Sequence, residues 1–154
     1  MSITVPVGVR GGRGREPTPR PGDITPAVVY LAAAQSTYGT TRYRDALRQV
    51  ARVWPRAVVM DAAACGFASR ADWHLRWPFI CDGIDSLVVL TETDGTVSQD
   101  TWLELRDATG TALPCWFVTT DGGMVHARSV RLRLHAAEVR DTRRWALAEV
   151  LSGP

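Results

Sequence analysis

Short apolar runs of strand length recur along the chain and alternate with segments that have helical periodicity. Each strand-like run predicts one strand of a sheet, and the third and fourth runs are expected to be buried. These four runs occupy residues 28–32, 57–60, 86–91 and 114–119. A fifth run, residues 129–134, alternates Val and Leu with Arg, so it predicts a strand with one polar face at an edge of the sheet.

Helices are predicted between these strands from the spacing of their apolar residues. Residues 41–53 carry apolar side chains at helical spacing and are followed by Pro55, which stops the helix. Residues 98–109 form another helix, for which Gly110 is predicted as the C-terminal cap. A helix that starts near residue 69 must bend or break at Pro78. A last helix is predicted over residues 137–151.

Strands that alternate with helices predict an α/β fold, because parallel neighbouring strands need crossover connections. We therefore expect one doubly wound, mostly parallel, five-stranded sheet in a Rossmann-like three-layer sandwich, with flavodoxin-like strand order. The 154 residues, 45% of them hydrophobic, suit a single domain. Residues 1–24 are rich in Gly, Arg and Pro and are expected to be a disordered leader, with the folded domain in residues 25–154.

Charge and cysteine usage narrow the choice of partners. All 18 basic residues are Arg and are interleaved with acidic ones, giving a formal charge of +2, so nucleic acid is not an expected partner.

Cys65, Cys81 and Cys115 stand far apart, which predicts reduced thiols, and neither a metal nor a cofactor is expected. Nothing resembles a signal peptide or a membrane span, so a cytoplasmic protein is expected.

The stretch from Asp85 to Val118 has the layout of a ligand site. A buried strand leads through a polar loop into a helix that carries one carboxylate able to point inward, Glu104, and then into a second strand. In parallel α/β sheets, ligands bind where the strands end. A P-loop is excluded because the chain has no Lys, and no Ser or Cys lies in a nucleophile-elbow motif.

Four segments of this region resemble, in order and approximate spacing, the nucleoside 2-deoxyribosyltransferase family. They are residues 30–34, 83–90, 100–108 and 110–118. The start of the third segment is also similar to that of lysine-decarboxylase-like nucleotide phosphoribohydrolases. Both resemblances imply chemistry at the N-glycosidic bond of a nucleoside or nucleotide, and the first implies a homo-oligomer in which a neighbour completes each site.

The resemblance also implies roles for individual residues. Glu104 matches the nucleophile that attacks the anomeric carbon, and Tyr30 matches the tyrosine that orients it. A carboxylate suits that reaction, because it stabilises an oxocarbenium-like transition state and then forms an ester that can be broken again. The substrate-binding positions that the resemblance implies are Ala32, Ala33, Asp94, Asp100 and Thr101.

The chain departs from the family pattern at four places. The turn after the first strand, which bears glycine in the family, reads Ala32-Ala33-Ala34 here. Asp100 and Arg106 stand where the family has glycines, and Trp77 falls where the family has an Asp that acts on the departing base. The acidic residues that could replace that Asp are Asp72, Asp82, Asp94 and Asp100. Two hypotheses therefore stay open: an enzyme acting on N-glycosidic bonds, and a non-catalytic module that binds a nucleotide-derived ligand or a protein.

Overall fold

A computed structural model describes residues 17–119, 121–127 and 144–145 of the chain. Its strands are β1 (Val28–Ala33), β2 (Val58–Asp61), β3 (Ser86–Leu90), β4 (Val97–Ser98), β5 (Cys115–Val118), β6 (Met124–His126) and β7 (Arg144–Trp145). Its α-helices are α1 (Thr41–Val53), α2 (Ala62–Cys65), α3 (Arg70–Gly83) and α4 (Gln99–Gly110). Short 3₁₀ turns span Pro21–Asp23 and Gln35–Thr37.

Five strands form the main sheet in the order β2-β1-β3-β5-β6. The first four run parallel, and β6 runs antiparallel to β5. The prediction of an α/β fold with a mostly parallel five-stranded sheet is confirmed, and the fold is Rossmann-like. Because β1 lies between β2 and β3, the chain turns to one side of β1 after its first helix and crosses to the other side to form β3.

Alternate residues of β1 belong to two separate apolar clusters, one on each face of the sheet. Val29 and Leu31 pack in the cluster that contains the buried face of α1. Tyr30 and Ala32 pack in the cluster that contains tryptophans of α3 and α4. This alternation is the ordinary consequence of strand geometry, in which successive side chains point to opposite faces. It places Tyr30 on the face that carries α4 and Glu104.

The bounds of α1 agree with the prediction because local signals define both ends. The Thr40 hydroxyl accepts a hydrogen bond from the Tyr43 amide at 3.2 Å and caps the helix. The helix ends at Val53, two residues before Pro55. By contrast, α3 continues through Pro78 to Gly83, so the helix does not break at the proline. Packing of its buried Trp73, Trp77 and Cys81 against the sheet holds the helix across the proline.

The C-terminal part of the sheet differs from the sequence prediction. The fifth strand is β6, which follows a turn where Gly122 adopts a left-handed φ of 82°. The strand predicted at residues 129–134 lies outside the described residues, as do most of the leader at residues 1–24 and most of the helix at residues 137–151. Arg144 and Trp145 of that predicted helix are instead a strand, because they pair with Ser98 and Val97 of β4.

The cap predicted at Gly110 is also wrong. Gly110 is the last residue of α4, and the cap is Thr111, whose amide bonds to the carbonyls of Asp107 and Ala108 at 3.1 and 3.2 Å. The left-handed residue comes later, at Ala112. None of the described helices has the length and apolar character needed to cross a bilayer.

Candidate functional site

A cavity of about 1030 Å³ opens at the carboxyl ends of β1 and β3. Its walls come from the loop after β1, the start of α2, residues 66–70, Trp73 of α3, Glu92 and the first turns of α4. The chain reverses its winding direction at β1 and β3, and such a switch point is where open α/β sheets bind ligands. The position of the cavity therefore agrees with the site layout in the sequence.

Glu104 lies at the floor of this cavity with only 3% of its surface exposed. Its Oε1 accepts a hydrogen bond from Trp73 Nε1 at 2.9 Å. Its Oε2 is buried and has no hydrogen-bond partner among the described residues. One oxygen is thus fixed by the protein, while the other has no donor in hydrogen-bond geometry among the described residues.

Burial raises the pKa of Glu104 to about 8. The hydrogen bond from Trp73 acts in the opposite direction, because it stabilises the carboxylate, and the nearby charge of Asp100 raises the pKa further. Glu104 is therefore mostly protonated at pH 7 in the free protein. A nucleophilic role requires that the carboxyl group lose this proton.

Tyr30 lies beside Glu104 and is fully buried. The Tyr30 hydroxyl lowers the pKa of Glu104, as a nearby donor does. This hydroxyl does not meet the geometry of a hydrogen bond with any described residue. Burial, followed by the charge of Glu104, raises the pKa of Tyr30 far above its ordinary value. The phenol therefore stays protonated at neutral pH, and Tyr30 lies behind the cavity rather than among the residues that line it.

Two tryptophans one helical turn apart join α3 to α4. Trp73 donates to Glu104, and Trp77 donates to Asp107 Oδ2 at 3.0 Å. The Trp77 ring also packs on Tyr30, with 5.3 Å between ring centroids. At residue 77, where the resemblance implies an Asp that acts on the departing base, this chain therefore has a tryptophan. Its indole packs against Tyr30 and donates to Asp107, which does not line the cavity.

The residues predicted to bind substrate divide into two groups. Ala33 and Asp100 line the cavity. Ala32 is buried in the core beside Tyr30, and Thr101 is buried at the start of α4, where its hydroxyl accepts from Ser98 Oγ at 2.9 Å. Asp94 is exposed in the loop after β3, accepts a bond from the Thr96 amide at 3.0 Å, and is not part of the cavity lining.

Of the four acidic residues considered for the departing base, only Asp100 lines the cavity. Its Oδ1 lies 3.3 Å from Arg70 Nε, in a partly exposed ion pair. Asp72 accepts a bond from the Ala68 amide, which lowers its pKa, and Asp82 is exposed. Arg106, in place of a family glycine, is exposed, stacks over Trp102 and does not obstruct the cavity.

Sequence reasoning missed several polar residues of the cavity, among them Tyr38, Arg70 and Glu92. Glu92 follows β3 by two residues and accepts a bond from Ser36 Oγ at 2.9 Å. Its position just beyond a strand end was a usable signal for a ligand site. Tyr38 and Arg70 had no such signal, since their approach to Glu104 and Asp100 depends on how the loops fold over the sheet.

Among the residues that the structure describes, no three His, Cys, Asp or Glu side chains are arranged to hold a metal ion. Cys65, Cys81 and Cys115 are free thiols, and the last two are buried. No protein-family model matches the chain, and no curated protein or solved structure is significantly similar to it.

Proposed function

We propose that the protein cleaves or transfers the N-glycosidic bond of a nucleoside or nucleotide, with Glu104 as the nucleophile. The observation that carries this proposal is the buried Glu104 carboxyl group, which has one oxygen fixed by Trp73 and the other unpartnered at the floor of the cavity. The resemblance of four segments between residues 30 and 118 to the nucleoside 2-deoxyribosyltransferase family supports the same chemistry.

In the proposed reaction, Glu104 first loses its proton to solvent through the open cavity. Its ionised Oε2 then forms a bond to the anomeric carbon while the bond from that carbon to the base nitrogen breaks. The electron pair of the broken bond stays on the base, which takes a proton from solvent through the open cavity. Water or a second base then attacks the anomeric carbon, gives up a proton to solvent and releases the Glu104 carboxylate, completing a two-step displacement. Tyr30 is a positioning residue that holds the carboxylate ready for attack.

The runner-up is a non-catalytic binding module of the same fold. It is favoured by the raised pKa of Glu104, which leaves the carboxyl group mostly neutral at pH 7, and by its bond to Trp73, which is also a contact between helices. In that case Glu104 would bind a ligand or hold α4 against α3 without forming a covalent bond.

Release of free base distinguishes the two functions. The native protein is incubated with nucleosides and nucleoside 5′-monophosphates of the common bases, and the products are separated chromatographically. We expect release by the native protein and a loss of about a thousandfold or more in Glu104→Gln, because an amide is not a nucleophile of useful strength. Asp107→Asn is the control. It also replaces a carboxyl group of α4 by an amide, but Asp107 does not line the cavity, so this variant should retain activity.

Release that is equal in the native protein and in Glu104→Gln would contradict the role of Glu104. If no substrate releases base, the binding module becomes the better account.

We also propose a layer arrangement, a cellular location and an oligomeric state for this protein. We propose a doubly wound three-layer sandwich, which the apolar clusters on both sheet faces support, and a cytoplasmic location, with which the free thiols agree. We also propose a homo-oligomer, because Leu75 and Phe79 on the outer side of α3 are 73% and 80% exposed. A monomer in light scattering at micromolar concentration would contradict the last of these.

A further inference from the structure

We infer that the outer face of α1 binds the phosphate backbone of duplex nucleic acid without reading the base sequence. The surface concerned is the arginine row, which consists of Arg44, Arg48 and Arg52 and contributes nothing to the lining of the cavity. This surface is therefore separate from the site of the proposed function. The overall charge of +2 does not indicate a nucleic-acid partner, but it averages over two sides of the sheet that differ in charge.

Arginine is concentrated in the part of the chain that contains α1. Residues 41–56 hold five arginines and one acidic residue, Asp45. Residues 57–110, which contain α3 and α4, hold three arginines and eight Asp or Glu residues besides the mostly protonated Glu104. The buried side of α1 packs on one face of the sheet, and those of α3 and α4 pack on the other. A polyanion is therefore attracted more strongly to the α1 side.

The arginine row follows the solvent side of α1. Its members are four residues apart, so they share one face of the helix and lie about 6 Å from one another along its axis. All three are exposed, whereas Tyr43, Ala46 and Val50 are buried on the opposite face. Arg56, exposed in the turn after the helix, extends the positive charge beyond its end. The row therefore presents several guanidinium groups to one partner at the same time.

Most of the charge of the arginine row is not neutralised by the described residues. Arg48 Nη1 lies 3.1 Å from Asp45 Oδ1, and these side chains are 69% and 61% exposed. Among the described residues, Arg44 and Arg52 donate only to neutral oxygens, at 3.0–3.4 Å. A neutral acceptor leaves the charge of a guanidinium group in place. Because these bonds lie at the surface, phosphate oxygens can replace them, and the planar guanidinium group suits bidentate contacts with phosphate.

The side chains around the arginine row favour nucleic acid over a protein or a membrane. The exposed residues of α1, all of which the structure describes, include no aromatic and no large aliphatic side chain. A protein interface needs apolar or aromatic anchors at its centre, and an interfacial helix inserts an apolar face into the bilayer. Interfaces with nucleic acid are more polar and more positive, and most of their contacts are made to phosphates and sugars. Without aromatic rings to stack on unpaired bases, this face fits a duplex better than a single strand.

The salt dependence of duplex binding tests this inference. The full chain is titrated against a labelled duplex of about 20 base pairs, and fluorescence anisotropy is measured at NaCl concentrations from about 50 to 200 mM. Contacts with three or four phosphates predict that the logarithm of the association constant falls with the logarithm of the salt concentration at a slope of about −3. The affinity should then fall about 60-fold over this range. Duplexes of unrelated sequence should bind equally, and a single strand of the same length should bind more weakly.

Three variants test the arginine row itself. Arg52→Gln removes one phosphate contact, so it should reduce the slope by about 1 and weaken binding at low salt by about tenfold. Arg106→Gln removes the same charge from the exposed side of α4, on the other face of the sheet, and should leave the slope unchanged. Asp45→Asn removes the acidic residue beside the row and should tighten binding several-fold, because it no longer repels the phosphates. A variant that had only lost stability would not bind more tightly.

Several results would overturn the inference. They are no binding to the duplex at the lowest salt concentration, equal effects of Arg52→Gln and Arg106→Gln, and tighter binding to the single strand than to the duplex. Preferential binding to vesicles of phosphatidylcholine and phosphatidylserine, or to poly-glutamate as an acidic protein surface, would overturn it as well and would assign the row to that partner. Base release from nucleosides is measured separately, so none of these results decides the proposed function.

Discussion

The candidate site depends on one carboxyl group held between aromatic side chains. Trp73 fixes one oxygen of Glu104, and Tyr30 lies close to the carboxyl group from the neighbouring strand. The sequence could predict Glu104 and Tyr30, because each lies in a segment that resembles a known family. It could not predict Trp73 as a partner, since that bond joins residues 31 positions apart and exists only when α3 packs on α4.

The Trp73 bond predicts a change in the pH dependence of turnover. Because the nucleophile must be ionised, kcat/KM of the native protein should rise with pH and level off above about 8. Trp73→Phe removes the N–H that favours the carboxylate, so the midpoint of the profile should move about one unit higher. The measurement is kcat/KM for base release from pH 5 to pH 10.

Trp54→Phe is the matched control for that change. Trp54 is also buried, but its Nε1 donates to the carbonyl of Pro21 at 2.9 Å, on the opposite face of the sheet. Its variant should keep the native midpoint. An unchanged midpoint in Trp73→Phe, or an equal change in both variants, would contradict the role given to the Trp73 bond.

Secondary-structure elements were predictable where their signals are local. The ends of α1 follow from a capping threonine and a nearby proline, and the buried strands follow from continuous apolar runs. β6 was missed because three residues are too few to show a pattern. The path of α3 through Pro78 depends on tertiary packing, which outweighs the local cost of a proline.

The contact between α3 and α4 predicts a stability difference between two variants of Asp107. Asp107→Ala leaves the indole N–H of the buried Trp77 without its acceptor, which should lower the free energy of unfolding by about 1–3 kcal/mol. Asp107→Asn keeps an acceptor oxygen and should cost clearly less. Urea denaturation at pH 7 measures both, and equal losses in the two variants would contradict this role of the bond.

For the whole molecule, burial of Glu104 links folding to pH. Its pKa rises from 4.5 to about 8 on folding, so between these values the folded state holds a proton that the unfolded state has lost. This group therefore makes the protein less stable as pH rises through that window, by up to about 1.4 kcal/mol per pH unit. Below pH 4.5 Glu104 does not lower the free energy of unfolding, and above about pH 8 its full destabilising effect is present.

Glu104→Gln tests this linkage because glutamine keeps an acceptor for Trp73 and does not titrate. Between pH 5 and pH 8, we expect the variant's free energy of unfolding to fall less steeply than that of the native protein. The two curves should separate most at pH 8 and above, with the variant the more stable. Parallel curves across the range, measured by urea denaturation, would show that Glu104 does not carry the linkage.

The architecture as a whole followed from the sequence more readily than the chemistry. Buried strands and periodic helices specify a mostly parallel sheet, and the sheet specifies where its strands end. The lining of the cavity depends on loop conformations, such as the one that brings Tyr38 to the cavity and Ser36 to Glu92. Loop conformations of this kind leave no periodic pattern in the sequence.

The most direct measurement for the central claim is the location of a covalent glycosyl adduct. The protein is incubated with 2′-fluoro nucleosides, in which the fluorine slows oxocarbenium-like steps, then quenched in acid and digested after Arg. Cleavage at Arg76 and Arg106 yields one peptide, residues 77–106, that contains Glu104. We predict a mass increase equal to the fluoroglycosyl group on Glu104, absent in Glu104→Gln. Base release without an adduct on Glu104, or an adduct on another residue, would contradict the account.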